Sequence, residues 1–309
     1  MVSAVFHSPS DASDALRADK AAGKPTSNPM TSTAVAPAST GPAPAPATKP
    51  KILMDWAGLA LKTLAPLAGI ALLVAIWALL TMKSTTFPTP LATWQEAVKL
   101  FSDPFYSNGP NDQGIGWNIL FSLKRVAMGF GLAAVVGIPL GFLIGRSTIA
   151  SAMLNPIISL LRPVSPLAWL PIGLLVFKSA DPAAIWTIFI CSIWPMIINT
   201  AVGVQRVPED YLNVAKVLNL SEWTIVKKIL FPSVLPYMLT GVRLSVGTAW
   251  LVIVAAEMLT GGVGIGFWVW DEWNNLNVHH ILIAIFVIGI VGLLLENALV
   301  AVAKRFSFE

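Results

Sequence analysis

Three of the charged side chains that stand inside long apolar runs of the sequence are candidates for a functional role. They are Arg162, Arg243 and Glu257. A charge within such a run is costly, so it usually faces a cavity or a partner chain. A guanidinium group also stays charged and offers flat, forked donors that suit a planar oxyanion. A plainer interpretation stays open, because each arginine could pair with a carboxylate or with carbonyl groups freed by nearby prolines.

The other reactive residue types form no catalytic or metal-binding set. Cys191 is the only cysteine and lies in an apolar run, so the sequence has no intramolecular disulfide and no Cys/His metal spacing. His7 lies in a Pro/Ala-rich stretch, and His279 and His280 lie at the edge of an apolar run. The phosphate-binding pattern G-x-x-x-x-G-K-[ST] is also absent. We therefore predict that the chain is not an enzyme and binds no metal.

The elements that carry the three charges are predicted to be membrane-spanning helices. Hydrophobic residues make up 55% of the chain and charged residues 12%, against roughly 25% charged residues in a soluble domain. The apolar residues gather into runs of about 20, the length that crosses a hydrocarbon layer about 30 Å thick. The basic residues are scattered between these runs, which argues against a nucleic-acid surface despite the net charge of +4. The pattern predicts an all-α membrane protein.

Six transmembrane helices are predicted from these runs. The third contains Arg162 and four prolines, so we expect it to be kinked or locally unwound. In the fifth, Glu257 follows Arg243 by fourteen residues, close to four helical turns, which predicts that both lie on one face about 21 Å apart. At the same rise per residue, Arg162 and Arg243 fall near the midplane of the membrane. The predicted spans are 59–82, 126–145, 152–177, 182–204, 234–259 and 280–303.

The polar loop 205–232, between the fourth and fifth spans, is predicted to form a helical hairpin. Acidic residues at its start and an apolar stripe after them indicate one amphipathic helix. Asn219 tolerates the left-handed geometry that ends a helix. Ser221 then caps a second helix, which Pro232 is expected to close. By shape alone, such a hairpin could lie on lipid headgroups or dock on another protein.

The hairpin resembles the coupling loop of permease subunits in type I ABC importers. That loop runs E-A-A, three residues, G, nine residues, I-x-L-P, and the stretches 213–219 and 229–232 occupy its place here. Ala215, Ile229 and Pro232 keep the pattern, while four other positions depart from it. The resemblance implies that the loop docks on a cytoplasmic ATPase. The coupling residues that it implies are Asn213, Val214, Ala215, Lys216, Asn219, Leu220 and Ser221.

A wider resemblance, to the nitrate, sulfonate and taurine class of these permeases, covers about residues 117–306. It is carried by several blocks in the same order, among them 161–163, 166–171, 240–243 and 249–258. The stretches 108–117, 193–205 and 261–275 are more similar to the branch that serves nitrate, bicarbonate and cyanate. The resemblance implies a small inorganic anion as substrate, first of all nitrate or nitrite. Bicarbonate, cyanate and an alkanesulfonate stay open as alternatives.

The resemblance also implies the assembly in which the chain works. It consists of a homodimer of this permease, two cytoplasmic ABC ATPase subunits and an extracytoplasmic substrate-binding protein, in a bacterial inner membrane. The chain itself would bind no cofactor, because ATP and Mg²⁺ are used by the ATPase. An ion-driven secondary carrier is a remote alternative, which would predict an internal repeat that the sequence does not show. The residues expected along the translocation pathway are Arg162, Arg243, Trp250 and Glu257.

Three regions are expected along the chain. Residues 1–50, rich in Ala, Pro, Ser and Thr, are predicted to be a disordered cytoplasmic tail. Residues 51–115 would hold the first transmembrane helix and a periplasmic loop, and residues 116–305 the permease core with its coupling loop 205–232. The distribution of Lys and Arg favours both termini in the cytoplasm. The Trp-rich stretch 267–273 is interpreted either as an interfacial aromatic belt or as a surface that receives the binding protein.

Overall fold

The computed structural model describes residues 56–84, 86–109 and 112–306, and these residues are almost entirely helical. Their only extended pairing is an isolated antiparallel bridge between Ser107 and Gln113. The predicted tail of residues 1–50 lies outside the described residues. The helices are α1 (Trp56–Thr81), α2 (Pro90–Leu100), α3 (Ile115–Arg146), α4 (Thr148–Leu161), α5 (Pro166–Phe177), α6 (Ala180–Gln205), α7 (Glu209–Val217), α8 (Glu222–Ile225), α9 (Phe231–Thr260), α10 (Ile265–Asn274) and α11 (Val278–Phe306).

Five of the described helices contain stretches long and apolar enough to cross a membrane, namely α1, α3, α6, α9 and α11. The helices α4 and α5 pass the same test only as a pair, and they are bent by 101° at the break between them. With this pair counted as one broken span, the described part of the chain has six, as predicted. The break also confirms the expected interruption of the third span, where Pro163 and Pro166 each lack a backbone donor.

The helix α3 begins earlier than the hydrophobic run predicted. It starts at Ile115, whereas the predicted span began at residue 126. The additional turns contain Asn118, Ser122 and Arg125, which are polar but buried. Because the partners of these side chains lie inside the protein, the hydropathy of the segment understates the length of the helix. Arg125, which directly precedes the predicted span, is therefore part of a buried helix face.

The centre of the bundle is a layer of three helices in the order α3, α6, α9. A stripe of small residues on α3 allows a close approach to α6, as in many membrane helix pairs. A Cβ atom added at Gly141 would lie 2.6 Å from the Cβ of Thr200, and one at Gly145 would lie 2.5 Å from the Cβ of Val204. The stripe consists of Gly129, Ala133, Gly137, Gly141 and Gly145.

The helix α9 packs against both α6 and α11. The Ser245 hydroxyl donates to the Ser192 carbonyl of α6 at 2.6 Å, and the Trp250 indole N–H donates to the Ile288 carbonyl of α11 at 2.9 Å. Both donors are thus satisfied where no bulk water reaches them, as a membrane interior requires. The helix α1 lies at the periphery of the bundle and is largely exposed along its span.

The loop 205–232, from here on called the hairpin, contains α7 and α8 as predicted. Asn219 is left-handed, with a φ of 49°, and the N–H of Leu220 donates to the Ala215 carbonyl at 3.0 Å. The Ser221 hydroxyl caps α8 by accepting a hydrogen bond from the N–H of Thr224 at 3.3 Å. The break and the cap are those expected from an Asn and a Ser at these positions.

Pro232 does not close the second hairpin helix, so this part of the prediction was wrong. The helix α8 continues through a π-helical turn, Val226–Leu230, directly into α9. The N–H of Phe231 donates to the carbonyl of Val226, five residues back. Pro232 lies in the first turn of α9, a position where proline is common. The second helix of the hairpin and the fifth span therefore form one helical segment over Glu222–Thr260.

Candidate functional site

A largely buried group of polar side chains, the Arg125 cluster, ties helices together at the end of the bundle opposite the hairpin. This end is called the α10 end. Arg125 Nη1 lies 2.7 Å from Glu257 Oε1, and its Nε donates to Asp181 Oδ1 at 2.8 Å. Nη1 also donates to the Val263 carbonyl at 2.7 Å. One guanidinium group thereby joins α3, α6, α9 and the loop before α10, through charge-assisted hydrogen bonds. The cluster consists of Asn118, Ser122, Arg125, Asp181 and Glu257.

The carboxylate of Glu257, a residue that is only 1% exposed, has partners on two other segments of the chain, α3 and the start of α10. Besides the guanidinium group, the Ser122 hydroxyl lies 2.7 Å from Oε2, and the N–H of Gly266 donates to the same oxygen at 3.0 Å. These contacts bind the start of α10 to α3 and α9. A buried charge is tolerated under such conditions, with an opposite charge and further hydrogen bonds in place.

Two glycines are required beside this carboxylate. A Cβ atom at Gly264 would overlap the Glu257 carboxyl group, and one at Gly266 would overlap the Val254 carbonyl. The close approach of α10 to α9 therefore requires that these two positions have no side chain. The sequence stretch 261–266, with its four glycines, thus packs against the Arg125 cluster.

Glu257 does not share the surroundings of Arg243. Glu257 is buried against α3, whereas Arg243 is exposed and faces α11. Fourteen residues are about 3.9 turns of an α-helix, which leaves a rotation of about 40° between the two side chains. The neighbours of α9 also change along its length, because Arg125 of α3 meets it only near the α10 end. The position of Glu257 is that of a residue that joins helices.

A second polar contact at the α10 end centres on His280, at the start of α11. Its Nδ1 lies 2.9 Å from Glu272 Oε1 on α10, and its Nε2 lies 3.7 Å from Glu96 Oε1 on α2. The Trp268 ring stacks on the imidazole at a centroid distance of 5.5 Å. A hydrogen bond from Lys99 lowers the pKa of the Glu96 carboxyl. Within the described ranges, no group of three or more His, Cys, Asp or Glu side chains is arranged to hold a metal ion.

Arg243 lies on the exposed face of α9 and is paired with a carboxylate from α11. Its Nε donates to Glu296 Oε1 at 2.9 Å, and its Nη2 contacts the same oxygen. The two side chains are 55% and 45% exposed and line a groove of about 490 Å³, which Trp250 also borders. Arg243 thus has a carboxylate partner in its own chain, although the pair remains half exposed to the groove. Its signal in the sequence was Glu296, the one acidic residue of the last apolar run.

Arg162 follows α4 at the break in the third span and has different surroundings. Among the described residues, no carboxylate lies within 4.0 Å of its guanidinium group. Its groove, of about 560 Å³, has no lining residue in common with the groove of Arg243. The two arginines predicted near the midplane thus occupy separate sites on one chain. The other residues that line the groove of Arg162 are Asn155, Ile158, Ser159, Pro163 and Ile198.

The residues predicted for coupling to an ATPase all lie on the hairpin, and only Ala215 is buried. Ala215 is fully enclosed in a small apolar core that contains Val204, Ile225 and Leu230. It therefore supports the hairpin from inside, whereas the other six positions are on its surface. The exposed residues of this set are Asn213, Val214, Lys216, Asn219, Leu220 and Ser221.

Several large apolar side chains lie on the exposed surface of the hairpin. Val217 is 85% exposed and Trp223 is 74% exposed. Arg146 of α3 contacts Glu222 at 3.2 Å, which holds the start of α8 to the bundle. Apolar surface of this kind marks a site that binds a protein or a membrane. The pattern that predicts the coupling residues does not separate the inner from the outer face of so short a helix, and it therefore includes the buried Ala215.

Comparison with known proteins gives consistent matches. Residues 137–307 match the family model described as "Binding-protein-dependent transport system inner membrane component". The chain is 49% identical over 237 residues to the nitrate import permease protein NrtB of a Synechocystis species, covering 76% of this chain and 86% of that relative. It is 44% identical over 248 residues to the bicarbonate transport system permease protein CmpB of the same organism, covering 79% of this chain and 89% of that relative.

The fold is similar to that of a solved permease structure. A chain of the MetNI methionine ABC transporter, in an inward-facing conformation, matches with a TM-score of 0.55 and 17% sequence identity. The match covers 62% of this chain and 95% of that chain. At this identity the similarity concerns the arrangement of the helices alone.

Proposed function

Because the chain belongs to the family of inner-membrane components of binding-protein-dependent transport systems, we propose that it forms the import pathway for a small inorganic anion, nitrate or nitrite. It is the permease subunit of an ABC importer, and the ATPase is a separate chain. The observation that carries the choice of anion is the 49% identity with a nitrate permease, against 44% with a bicarbonate permease. The second relative makes bicarbonate the second candidate.

Arg162 and Arg243 are the proposed contacts of the anion along the pathway. Both lie on exposed faces, about 20 Å along their helices from the ends nearer the hairpin. Two copies of the chain would bring four guanidinium groups to the pathway, and such groups suit flat oxyanions. Trp250 borders the groove of Arg243, and Glu257 holds the α10 end at which the pathway would open. These roles agree with the positions of the side chains.

The proposed assembly is a homodimer of this chain with two cytoplasmic ATPase subunits and an extracytoplasmic binding protein. ATP and Mg²⁺ would act at the ATPase, with no cofactor on this chain. ATP binding would close the ATPase dimer and pull the two hairpins together, which turns the pathway from inward-facing to outward-facing. Hydrolysis would then reset it. The continuous helix from α8 into α9 supports this coupling, since it links the hairpin to the span that carries Arg243.

The proposed orientation places both termini and the hairpin in the cytoplasm and the α10 end outside. Lys227 and Lys228 on the hairpin accord with a cytoplasmic location. We retain the division into a tail (1–50), a first span with a periplasmic loop (51–115) and a permease core (116–305). In this orientation the Trp-rich helix α10 faces either the lipid interface or the binding protein.

The substrate proposal is tested by uptake into vesicles that hold the whole complex. Labelled nitrate, nitrite, bicarbonate, cyanate and an alkanesulfonate are supplied in turn, with and without ATP inside. We expect ATP-dependent uptake of nitrate and nitrite. Uptake of bicarbonate alone would show that bicarbonate, and not nitrate or nitrite, is the substrate. Uptake of an anion that follows an ion gradient and needs no ATP would contradict the ATP-driven mechanism itself.

The coupling proposal is tested on the surface of the hairpin. Ala215→Glu would bury a carboxylate in the hairpin core, so an effect on uptake would not separate folding from docking. Val217→Asp instead places a charge on a residue that is 85% exposed, and we expect it to abolish copurification of the ATPase with the tagged permease. Leu276→Asp, at a residue 78% exposed beside α10, is the matched control and should leave copurification intact. Equal copurification of both variants would rule out the hairpin surface as the contact.

A further inference from the structure

We propose that the groove beside the break between α4 and α5 is a binding site for a small oxyanion, in which Arg162 supplies the charge and Asn155 and Ser159 supply further hydrogen bonds. This inference rests on the proposed function and deepens it, because it assigns one site and its ligands within the pathway. Three independent features of the structure support it.

The first feature is the lack of a counter-charge. Arg125, Arg146 and Arg243 each have a carboxylate within 4.0 Å. Among the residues that the structure describes, Arg162 has none, although it interrupts an apolar span. A charge at membrane depth is stable only with water or an opposite charge beside it. No described carboxylate within 4.0 Å supplies that opposite charge, which leaves the role to water and to an anion from outside.

The second feature is the break itself. The axes of α4 and α5 differ in direction by 101°, and the residues between them, 162–165, are not helical. Irregular backbone at membrane depth survives only where it is buried in protein or lines a water-filled cavity. The helix α5, of twelve residues with Pro166 in its first turn, begins four residues after Arg162. The positive end of a half-helix favours an anion, and membrane transporters bind substrates at such ends.

The third feature is the lining of the groove. Asn155, Ser159 and Arg162 follow one another at intervals of four and three residues, so they lie along one face of α4. The Asn155 amide donates one hydrogen bond to the Ser151 hydroxyl at 2.8 Å, which orients the amide and leaves its second N–H available. The volume of about 560 Å³ exceeds that of a small oxyanion and leaves space for several waters. A wet site of this kind binds weakly enough to release its ligand, as transport requires.

The test measures anion binding directly, on the whole purified complex in lipid nanodiscs without the binding protein. Thermal unfolding midpoints are recorded against sodium nitrate, and separately against sodium bicarbonate, with sodium gluconate keeping the ionic strength constant. We expect a saturable rise of the midpoint for the native complex, because a ligand that binds the folded state stabilises it by mass action. A native complex with no saturable rise in either anion would overturn the proposal.

The variants assign the binding to the groove. Arg162→Gln should raise the half-saturating nitrate concentration at least about tenfold, and Arg162→Lys should raise it less. The double variant Asn155→Ala with Ser159→Ala should raise it about tenfold. Lys124→Gln removes an exposed charge from α3 and should leave the curve unchanged. An unaltered curve for Arg162→Gln would overturn the proposal, and so would loss of the second permease copy from this variant, which would identify the groove as a contact between copies.

The outcome is separable from that of the proposed function. If the native complex binds nitrate in a way that depends on Arg162 but takes up none of the tested anions, the proposed site is supported and the proposed import function is contradicted. Conversely, ATP-dependent nitrate uptake with an Arg162→Gln binding curve like that of the native complex would retain the function and remove the site.

Discussion

Arg125 and Arg162 both lie in segments that span the membrane, yet their surroundings are opposite. The side chain of Arg125 is 11% exposed and contacts two carboxylates and a carbonyl oxygen. Arg162 lies in an open groove and meets no carboxylate among the described residues. A charge with a complete set of partners in its own chain joins helices. A charge that lacks a partner in its own chain is suited to bind a transported anion, which enters the groove and leaves it again.

Arg243 is intermediate between these two cases. It has one carboxylate partner, Glu296, but both side chains are about half exposed to a groove. An anion that reaches this groove would compete with Glu296 for the same guanidinium group. The three arginines thus form a series of decreasing neutralisation within the chain.

The largest loss of stability is expected for Arg125→Ala. The change leaves Glu257 buried without its opposite charge, which should lower the free energy of unfolding by about 3–5 kcal/mol. The thermal unfolding midpoint of the purified complex measures this loss. Lys99→Ala removes an ion pair whose lysine side chain is 73% exposed, and it should cost less than about 1 kcal/mol. Similar losses for the two variants would contradict a structural role for the Arg125 cluster.

A smaller loss is expected for Gly266→Ala. The added methyl group overlaps the Val254 carbonyl, so α10 must shift away from α9, at a cost of about 1–3 kcal/mol. Gly289→Ala is the matched control, because a Cβ atom there has no atom within 4 Å. The same unfolding measurement should show little change for this second variant. An unchanged unfolding midpoint for Gly266→Ala would mean that the contact between α9 and α10 is loose.

Glu296→Gln is expected to change stability by less than about 1 kcal/mol, since the pair is half exposed. Its effect lies in transport, because it gives Arg243 the unneutralised state of Arg162. We expect a lower KM for nitrate uptake and a lower maximal rate, as an anion held more tightly leaves more slowly. Rates measured over a range of nitrate concentrations separate the two quantities. An unchanged KM would indicate that Arg243 does not meet the anion.

The smallest effect on stability is expected for Arg162→Gln, within about 0.5 kcal/mol, because no described carboxylate loses a partner. ATP-dependent uptake should nevertheless fall at least about tenfold. Arg162→Gln should thus impair uptake with little loss of stability, whereas Arg125→Ala is expected to lower the stability strongly. If Arg162→Gln melted as early as that variant, the contrast between the two arginines would be lost.

Local features of the fold could be read from the sequence, because their causes are local. Asn219 and Ser221 predicted a break and a cap from neighbouring residues alone, and both are present. The prolines of the third span predicted its interruption in the same way. The π-helical turn could not be predicted, because a proline after a short helix more often marks an end than a continuation.

The polar contacts between helices could not be read from the sequence. Arg125 binds residues 56 and 132 positions further along the chain, and such pairings leave no periodic signal. For Arg162 and Arg243 the sequence indicated unusual charges, but not which one was neutralised, since Glu296 lies 53 positions beyond Arg243. Likewise, the burial of Ala215 depends on Leu230 and Val204, which only the folded hairpin brings together.

The π-helical turn Val226–Leu230 has a mechanical consequence for the segment that contains it. Relative to a plain α-helix, its extra residue rotates everything beyond it by about 100° with respect to the hairpin. The 39 residues of Glu222–Thr260 therefore form one continuous helical segment in which the part after the π-helical turn is rotated relative to the part before it. A twist of α8 about its own axis would be delivered to Arg243 and Glu257 as a rotation, in addition to any pull along the axis. The number of residues in this one turn determines the direction in which the two charged side chains point.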